Sequence, residues 1–237
     1  MEMKGKMAIL LVLALLIAAS FVAADPTGAT DVTQVTSSSY NLSAVSPGQA
    51  NAQAGNVTEL SLNGTGITTS WQGYYGNITG KLILADASGN NFYDWNVSTP
   101  SGEVYASRSN AVDWSTINCS NSTEVSSEET YLGQSATDPD SVSNTFALTS
   151  HPSFFVGAAN LTGCYSTHAY DNTGGQATGF WQVLLHDSTN TVYSTILDSS
   201  VGAGFNNQPW DFELLVGENG KDGDTTLTPY YFYVELQ

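Results

Sequence analysis

Short runs of alternating apolar and polar residues dominate the chain from residue 56 onwards. A period of two predicts half-buried β-strands, and the Gly, Asn, Asp and Ser residues that bound the runs favour turns. No stretch in this region keeps the 3.6-residue period of an amphipathic helix, although residues 111–117 are compatible with one or two helical turns. Strands are expected at residues 57–62, 78–85, 91–97, 103–107, 180–186, 191–197, 212–216 and 230–236.

Regularly spaced short strands favour an all-β fold over residues 56–237, as an antiparallel β-sandwich or a jelly-roll-like arrangement. Two segments, residues 81–93 and 182–193, share an apolar strand, an Asp-led turn and a returning aromatic strand. This likeness indicates either two pseudo-equivalent halves, residues 56–118 and 145–237, or merely the common chemistry of hairpins.

The N-terminal segment, residues 1–24, has two lysines followed by apolar or small residues up to Ala24. This pattern predicts a secretory signal peptide that is cleaved after Ala24. An uncleaved anchor is the alternative, because an apolar run of this length just reaches across a bilayer. We therefore expect an extracellular or cell-surface protein that meets the membrane only through this segment, if the segment is retained.

Residues 25–55 are rich in Ser, Thr, Gly, Ala and Gln and lack aliphatic density. This composition is typical of a flexible arm or linker, and a plain spacer is the simplest interpretation. The sharper hypothesis is that residues 30–40 add as a strand to the open sheet edge of a neighbouring subunit.

Charge excludes one class of partner. The chain carries 5 Lys and Arg against 22 Asp and Glu, a formal net charge of −17. After residue 24 the basic residues are only Lys81, Arg108 and Lys221, far apart in sequence. Nucleic-acid binding needs clustered cations, so we expect no nucleic-acid partner, and acidic membrane surfaces are disfavoured for the same reason.

The two cysteines, Cys119 and Cys164, predict one disulfide, because the chain is expected to be exported and no metal-ligand spacing surrounds them. Glycosylation is predicted as well, because Asn-X-Ser/Thr sequons are numerous in this exported chain. The sequon asparagines are Asn41, Asn56, Asn63, Asn77, Asn96, Asn118, Asn121 and Asn160.

Catalytic motifs are absent from the sequence: there is no HExxH, no GxSxG and no phosphate-binding loop of the right spacing. His168 is most simply a structural histidine. Glu124, Glu128 and Glu129 could supply paired carboxylates for hydrolysis, but their Ser-rich stretch is predicted to be a solvated loop. We expect no enzymatic activity, with a secreted hydrolase as the weakest alternative.

Two ligand hypotheses remain open. Glu218, Asp222 and Asp224 lie in a Gly-rich loop with the hard oxygen ligands that calcium prefers, although an acidic turn explains the same residues; no other cofactor is expected.

The aromatic residues Trp71, Tyr74, Tyr75 and Trp95 suit sugar stacking if exposed and a sandwich core if buried. Alternation places Tyr74 and Tyr75 on opposite faces, so at least half of the set is expected in the core. Residues 92–95 are expected across a hairpin from this run.

Several blocks occur in the order seen in a family of exported archaeal cell-surface proteins of unknown function, which this chain resembles from about Gly55 to its end. The blocks are TTSWQGYYGNITGKLILADASGNNFYDWNV, GEVYAS, WSTINC, WDFELLVGENG and TPYYFYVEL. The resemblance implies an archaeal source, a surface or secreted location and paired cysteines at Cys119 and Cys164. It carries over no catalytic residues.

The sequence thus favours a structural or interaction glycoprotein of the archaeal envelope, with itself or other envelope proteins as partners. Self-assembly fits this interpretation. The competing interpretation is an adhesion module that binds glycans or partner-cell surfaces.

Overall fold

A seven-stranded antiparallel sheet organises the computed structural model, which describes residues 25–40, 47–197, 202–219 and 227–237. The predicted signal segment, Asn41, Asp222 and Asp224 lie outside the described residues. The strands are β1 (Thr27–Gly28), β2 (Trp71–Gly76), β3 (Gly80–Ala85), β4 (Asn91–Val97), β5 (Gly102–Ser107), β6 (Asn118–Cys119), β7 (Phe154–Val156), β8 (Ala159–Leu161), β9 (Ser166–Tyr170), β10 (Gln176–His186), β11 (Thr191–Leu197), β12 (Phe212–Gly217) and β13 (Tyr231–Leu236).

The central sheet has the order β1-β13-β5-β11-β10-β6, and β9 also pairs with β10. Three two-stranded antiparallel sheets accompany it: β12 with β2, β3 with β4, and β7 with β8. The predicted all-β fold is confirmed. In the described residues no helix is long and apolar enough to cross a membrane.

Both faces of the central sheet are buried. Neighbouring residues on β5, Val104 and Tyr105, are both almost fully buried and belong to two different apolar clusters. Successive strand residues point to opposite faces, so the two clusters lie on the two sides of the sheet. The continuous apolar run at residues 183–185 of β10 reflects this burial on both faces.

One face carries the β2–β12 pair and the two short helices, α1 (Ser122–Leu132) and α2 (Val142–Thr145). The other face is covered by the β7–β8 hairpin. The predicted disulfide is confirmed: Cys119 and Cys164 are bonded, with their Cα atoms 4.9 Å apart. It fastens β6, at one edge of the sheet, to the segment that leads into β9.

Helix α1 contradicts the predicted solvated loop. Asn121 caps it by accepting hydrogen bonds from the backbone N–H groups of Thr123 and Glu124, and the Glu124 side chain completes the capping box. The buried face consists of Val125, Glu128, Glu129 and Leu132, which have the 3.6-residue period. Two of these four residues are glutamates, so the sequence lacks the apolar 3.6-residue period by which a helix is predicted.

Other predictions of local structure agree with the structure in some segments and differ from it in others. A 3₁₀ turn at Trp114–Thr116 lies within the predicted turn at residues 111–117. The strand predicted at residues 57–62 is wrong within this chain, because the segment is exposed and forms no strand. Strands β1, β6, β7, β8 and β9 were not predicted, and β2 was expected only through the alternation of its aromatic run.

The start of the predicted arm is held by its own chain. Thr27 and Gly28 pair with Val234 and Tyr233 of β13, and the N–H of Ala29 donates to the carbonyl oxygen of Phe232. The chain from residue 30 to 40 is exposed and forms no strand. Its addition to a neighbouring subunit stays a prediction.

The two similar hairpins share their turn chemistry. Asp86 accepts hydrogen bonds from Ser88 and Asn90, and Asp187 accepts them from Thr189 and Asn190. Their places in the fold differ, since β10–β11 forms the middle of the central sheet and β3–β4 is a separate ribbon. The likeness at residues 81–93 and 182–193 therefore extends as far as hairpin chemistry.

Candidate functional site

The β3–β4 hairpin is an exposed apolar ribbon. Within the described residues its two strands pair only with each other. Leu82 lies directly opposite Trp95, and Leu84 directly opposite Tyr93, so these four side chains share one face. The rings of Tyr93 and Trp95 are 4.9 Å apart, in agreement with the predicted alternation of this strand.

All four of these side chains are between 41% and 57% exposed. Ile83 and Phe92, elsewhere on the ribbon, are 65% and 83% exposed. The ribbon also carries polar side chains: Lys81 and Asp94 form a salt bridge 2.8 Å long, and the sequon residue Asn96 lies on β4. Contiguous apolar surface of this kind marks interaction sites, and a two-stranded hairpin is marginal by itself.

The base of the ribbon is fixed to the rest of the protein. Gly80, at the start of β3, lies against the side chain of Leu236 on β13, and a Cβ at this position would meet Cδ1 of that leucine. Beyond β4, Ser101 and Gln237 exchange hydrogen bonds, which ties the exit of the ribbon to the end of β13. The ribbon is thus presented from a fixed base with its apolar side chains in solvent.

The predicted sugar-stacking aromatics fall in three places. Trp71 packs 6.0 Å from Phe146 and 6.3 Å from Tyr193, and its Nε1 donates to the carbonyl oxygen of Asp140 at 2.7 Å. Tyr74 packs 5.1 Å from Phe232. Trp71 and Tyr74 therefore contribute to the core on the β2–β12 side.

Tyr75 points away from that core, as alternation predicts, and is 40% exposed. Its ring lies 5.1 Å from that of Phe205 and 5.0 Å from that of Trp210. The sequence missed this cluster because residues 205 and 210 are far from residue 75 along the chain. Trp95 lies on the separate ribbon.

The expected pairing of residues 92–95 with residues 71–75 is wrong. Strand β2 pairs with β12, with Tyr75 opposite Glu213, and β4 pairs with β3. The two aromatic runs are close in sequence, but a strand can pair with a partner far along the chain, and alternation does not identify that partner.

The sequon asparagines in the described residues, seven of the eight, all have exposed side chains: Asn56, Asn63, Asn77, Asn96, Asn118, Asn121 and Asn160. Asn121 also has a structural role, because its Oδ1 caps helix α1 while its amide nitrogen takes no part in the cap. Exposure meets the first requirement for a glycan at these positions.

The predicted calcium loop is described only at its start. Oε1 of Glu218 accepts a hydrogen bond from Thr228, 2.9 Å away, and its backbone N–H donates to Ser70. Nowhere in the described ranges do three His, Cys, Asp or Glu side chains come together as a metal-ion site. Calcium at Glu218, Asp222 and Asp224 stays a prediction.

A buried ion pair that the sequence missed joins helix α1 to the sheet. Arg108 donates to both carboxylate oxygens of Glu128, at 2.5 and 2.6 Å. Tyr193 and Thr191 donate to the same carboxylate, each at 2.7 Å. The guanidinium also lies 3.9 Å above the ring of Tyr131.

This network holds its charges in place. Burial alone would raise the pKa of Glu128, but the hydrogen bonds and charge of Arg108 outweigh burial and hold that pKa below its usual range. Burial raises the pKa of Tyr193 well above its usual value, and the charge of Glu128 adds to the effect. A polar cavity of about 190 Å³ opens beside the pair. Both carboxylate oxygens of Glu128 accept hydrogen bonds from protein donors, which indicates that this residue has a structural role in joining helix α1 to the sheet.

Two further glutamates meet on the opposite face of the sheet. Glu103 and Glu235 are directly opposed on β5 and β13, and both are more than 90% buried. Tyr105 and the N–H of Gly157 donate to Glu235, all at 3.1 Å. Burial and then the charge of Glu235 raise the pKa of Glu103 to about 8.

His168 packs on the ring of Trp181, with centroids 3.5 Å apart, and its Nδ1 lies 3.2 Å from the carbonyl oxygen of Gly179. This arrangement is that of a packed histidine in the sheet. Of the three glutamates considered for hydrolysis, Glu128 is paired with Arg108, Glu129 accepts from Ser143, and Glu124 caps helix α1. Each carboxylate therefore has a structural contact.

Comparison with protein-family models, with curated proteins and with solved structures found no match to this chain.

Proposed function

We propose that this protein is a secreted or cell-surface structural glycoprotein of an archaeal envelope, and that it associates with further copies of itself. The observation that carries the proposal is the β3–β4 ribbon, whose apolar side chains are exposed on a fixed base. The signal-like N-terminus, the exposed sequons and the resemblance to exported archaeal surface proteins support the location.

The magnitude of this surface favours reversible association. Full burial of a Leu, Phe or Ile side chain contributes about 1.5–3 kcal/mol, and the ribbon side chains are roughly half buried already. Two ribbons packed against each other would therefore gain roughly 10 kcal/mol, which is comparable to the ~4–15 kcal/mol cost of association. We expect weak pairwise contacts that become effective when many copies are held at a surface.

Charge modulates the contact. Copies with a net charge of −17 repel each other, and added salt screens that repulsion. The ribbon itself pairs Lys81 with Asp94, so it is the less repulsive part of an acidic surface. Association should therefore strengthen between low and moderate ionic strength.

Sedimentation velocity over a range of concentrations tests the proposal. The wild type should form larger species as concentration rises, whereas the double variant Leu82→Thr/Trp95→Thr should remain monomeric. Threonine keeps the strand preference of these positions while removing most of their apolar surface. The matched control is Tyr170→Thr, an exposed aromatic residue on β9. A wild type that stays monomeric at every concentration overturns the proposal.

A second candidate function, glycan binding, is favoured by the exposed cluster of Tyr75, Phe205 and Trp210. Aromatic faces stack on sugar rings, and the acidic chain favours neutral glycans. Glycan-array binding that is lost in Tyr75→Ala and kept in the ribbon variant would support this function. Equal binding by wild type and Tyr75→Ala would contradict it.

A further inference from the structure

Residues 57–62 form a strand-like segment without a partner in the described structure. Their sequence, Val-Thr-Glu-Leu-Ser-Leu, alternates in the way that predicts a strand. The backbone is nevertheless unpaired, and Val57, Leu60 and Leu62 are 102%, 59% and 87% exposed. An unpaired segment with a strand-like sequence and apolar side chains in water is suited to add to a sheet elsewhere.

Strand β3 offers an open edge. It pairs with β4 on one side, and no described strand lies on its other side. The backbone N–H and C=O groups along that edge form a template for a further strand. A third strand would also convert a marginal two-stranded hairpin into a sheet of independent stability.

The side-chain patterns of the segment and of β3 match. In the segment, Leu60 and Leu62 share a face and Glu59 lies on the other. On β3, Leu82 shares a face with Leu84, while Lys81 lies on the other. When the leucines align, the apolar face of the ribbon becomes three strands wide, and Glu59 falls on the same face as Lys81.

We infer that residues 57–62 of one copy add as a third strand along β3 of a second copy. This inference rests on the proposed self-association and names the segment that performs it. Within one chain the described structure contains no such pairing: residues 57–62 form no strand, and β3 pairs only with β4.

Cysteine trapping tests the inference, because both native cysteines are in the disulfide and no free thiol interferes. A tagged Leu60→Cys protein is mixed with an untagged protein that carries Leu82→Cys or Leu84→Cys, and the mixture is mildly oxidised. At least one pair should give a covalent heterodimer. Ile83→Cys, which points to the opposite face of β3, and Val35→Cys, which is exposed on the arm, are the matched controls and should give at least tenfold less.

A proline variant provides a second readout. Leu60→Pro removes a backbone donor from the segment and should shift the dissociation constant at least tenfold towards monomer, while Val35→Pro should leave it unchanged. If the wild type associates but neither heterodimer forms and Leu60→Pro is neutral, the inference fails while self-association stands.

The double variant Leu60→Cys/Leu82→Cys carries both cysteines on one chain. If it forms an intrachain disulfide, and the mixing experiment gives no heterodimer, the assignment to a second copy is overturned. A wild type that never associates would remove both the inference and the proposed function.

Discussion

Glu103 on β5 lies directly opposite Glu235 on β13, and both carboxyl groups are buried in a chain that has few cations to compensate them. The pKa of Glu103 rises from 4.5 to about 8, through burial first and the charge of Glu235 second. Between these pH values the folded protein binds more protons than the unfolded chain, so Glu103 lowers the free energy of unfolding as pH increases.

The first prediction concerns this pair. Glu103→Gln keeps the shape of the side chain and removes its ionisation, so the variant should match the wild type near pH 4.5 and exceed it above pH 8. One pKa unit corresponds to about 1.4 kcal/mol, so the rise from 4.5 to about 8 sets an upper limit of ~5 kcal/mol, and we expect a gain of ~2–5 kcal/mol at pH 8.5. Urea unfolding across pH 4.5–9 measures it, with the exposed Asp31→Asn as control. A constant difference at all pH values would contradict the prediction.

The second prediction concerns the ion pair that anchors helix α1. Loss of one partner leaves a buried charge, so Glu128→Gln and Arg108→Met should each lower the free energy of unfolding by ~3 kcal/mol at pH 7. The double variant should lose less than the two single losses combined, because no unpaired charge remains. Glu124→Gln, on the same helix but more exposed, should cost no more than ~0.5 kcal/mol. Additive losses in the double variant would show that the two residues act independently.

The third prediction separates two roles of Asn121, the helix cap and the sequon. In unglycosylated protein, Asn121→Ala should lower the free energy of unfolding by about 1 kcal/mol, because two backbone N–H groups of α1 lose their acceptor. Asn121→Asp should retain the cap and cost little, although it removes the sequon equally. Thermal unfolding compares the three proteins. Equal destabilisation by Ala and Asp would contradict a capping role.

The fourth prediction concerns the disulfide. It joins residues separated by 45 positions, so replacement of both cysteines by serine should cost about 4 kcal/mol in the chain-entropy account. Equilibrium unfolding of the double variant under non-reducing conditions measures the loss, and the wild type in reducing buffer is the matched comparison. A loss below ~1 kcal/mol would show that the pairing of β6 with β10 holds this edge without the bond.

Several strands were predictable from the sequence, because short apolar runs end at turn residues. Strands β4, β5, β11 and β13 lie within a residue of their predicted bounds. Helix α1 was not predicted, because two of the four positions on its buried face are the glutamates Glu128 and Glu129. Their burial depends on Arg108 and on Ser143, partners that only the fold brings close.

The candidate surface was predictable only in part. A strand with a period of two was predicted at residues 91–97, and Tyr93 and Trp95 share one face as that period requires. Whether that face is core or surface depends on what covers it, which a period of two does not specify. The same ambiguity applies to Trp71 and Tyr75, which lie on one strand and end in the core and in solvent respectively.

The account rests on the β3–β4 ribbon as a contact between copies, and amide hydrogen exchange as a function of protein concentration tests it most directly. Amides of Leu82, Ile83 and Leu84 should exchange quickly in dilute protein and at least tenfold more slowly in concentrated protein. The β10–β11 hairpin should be protected equally at both concentrations, which makes it the internal reference. Exchange in β3 that is independent of concentration, in solutions up to the millimolar range, would contradict the account.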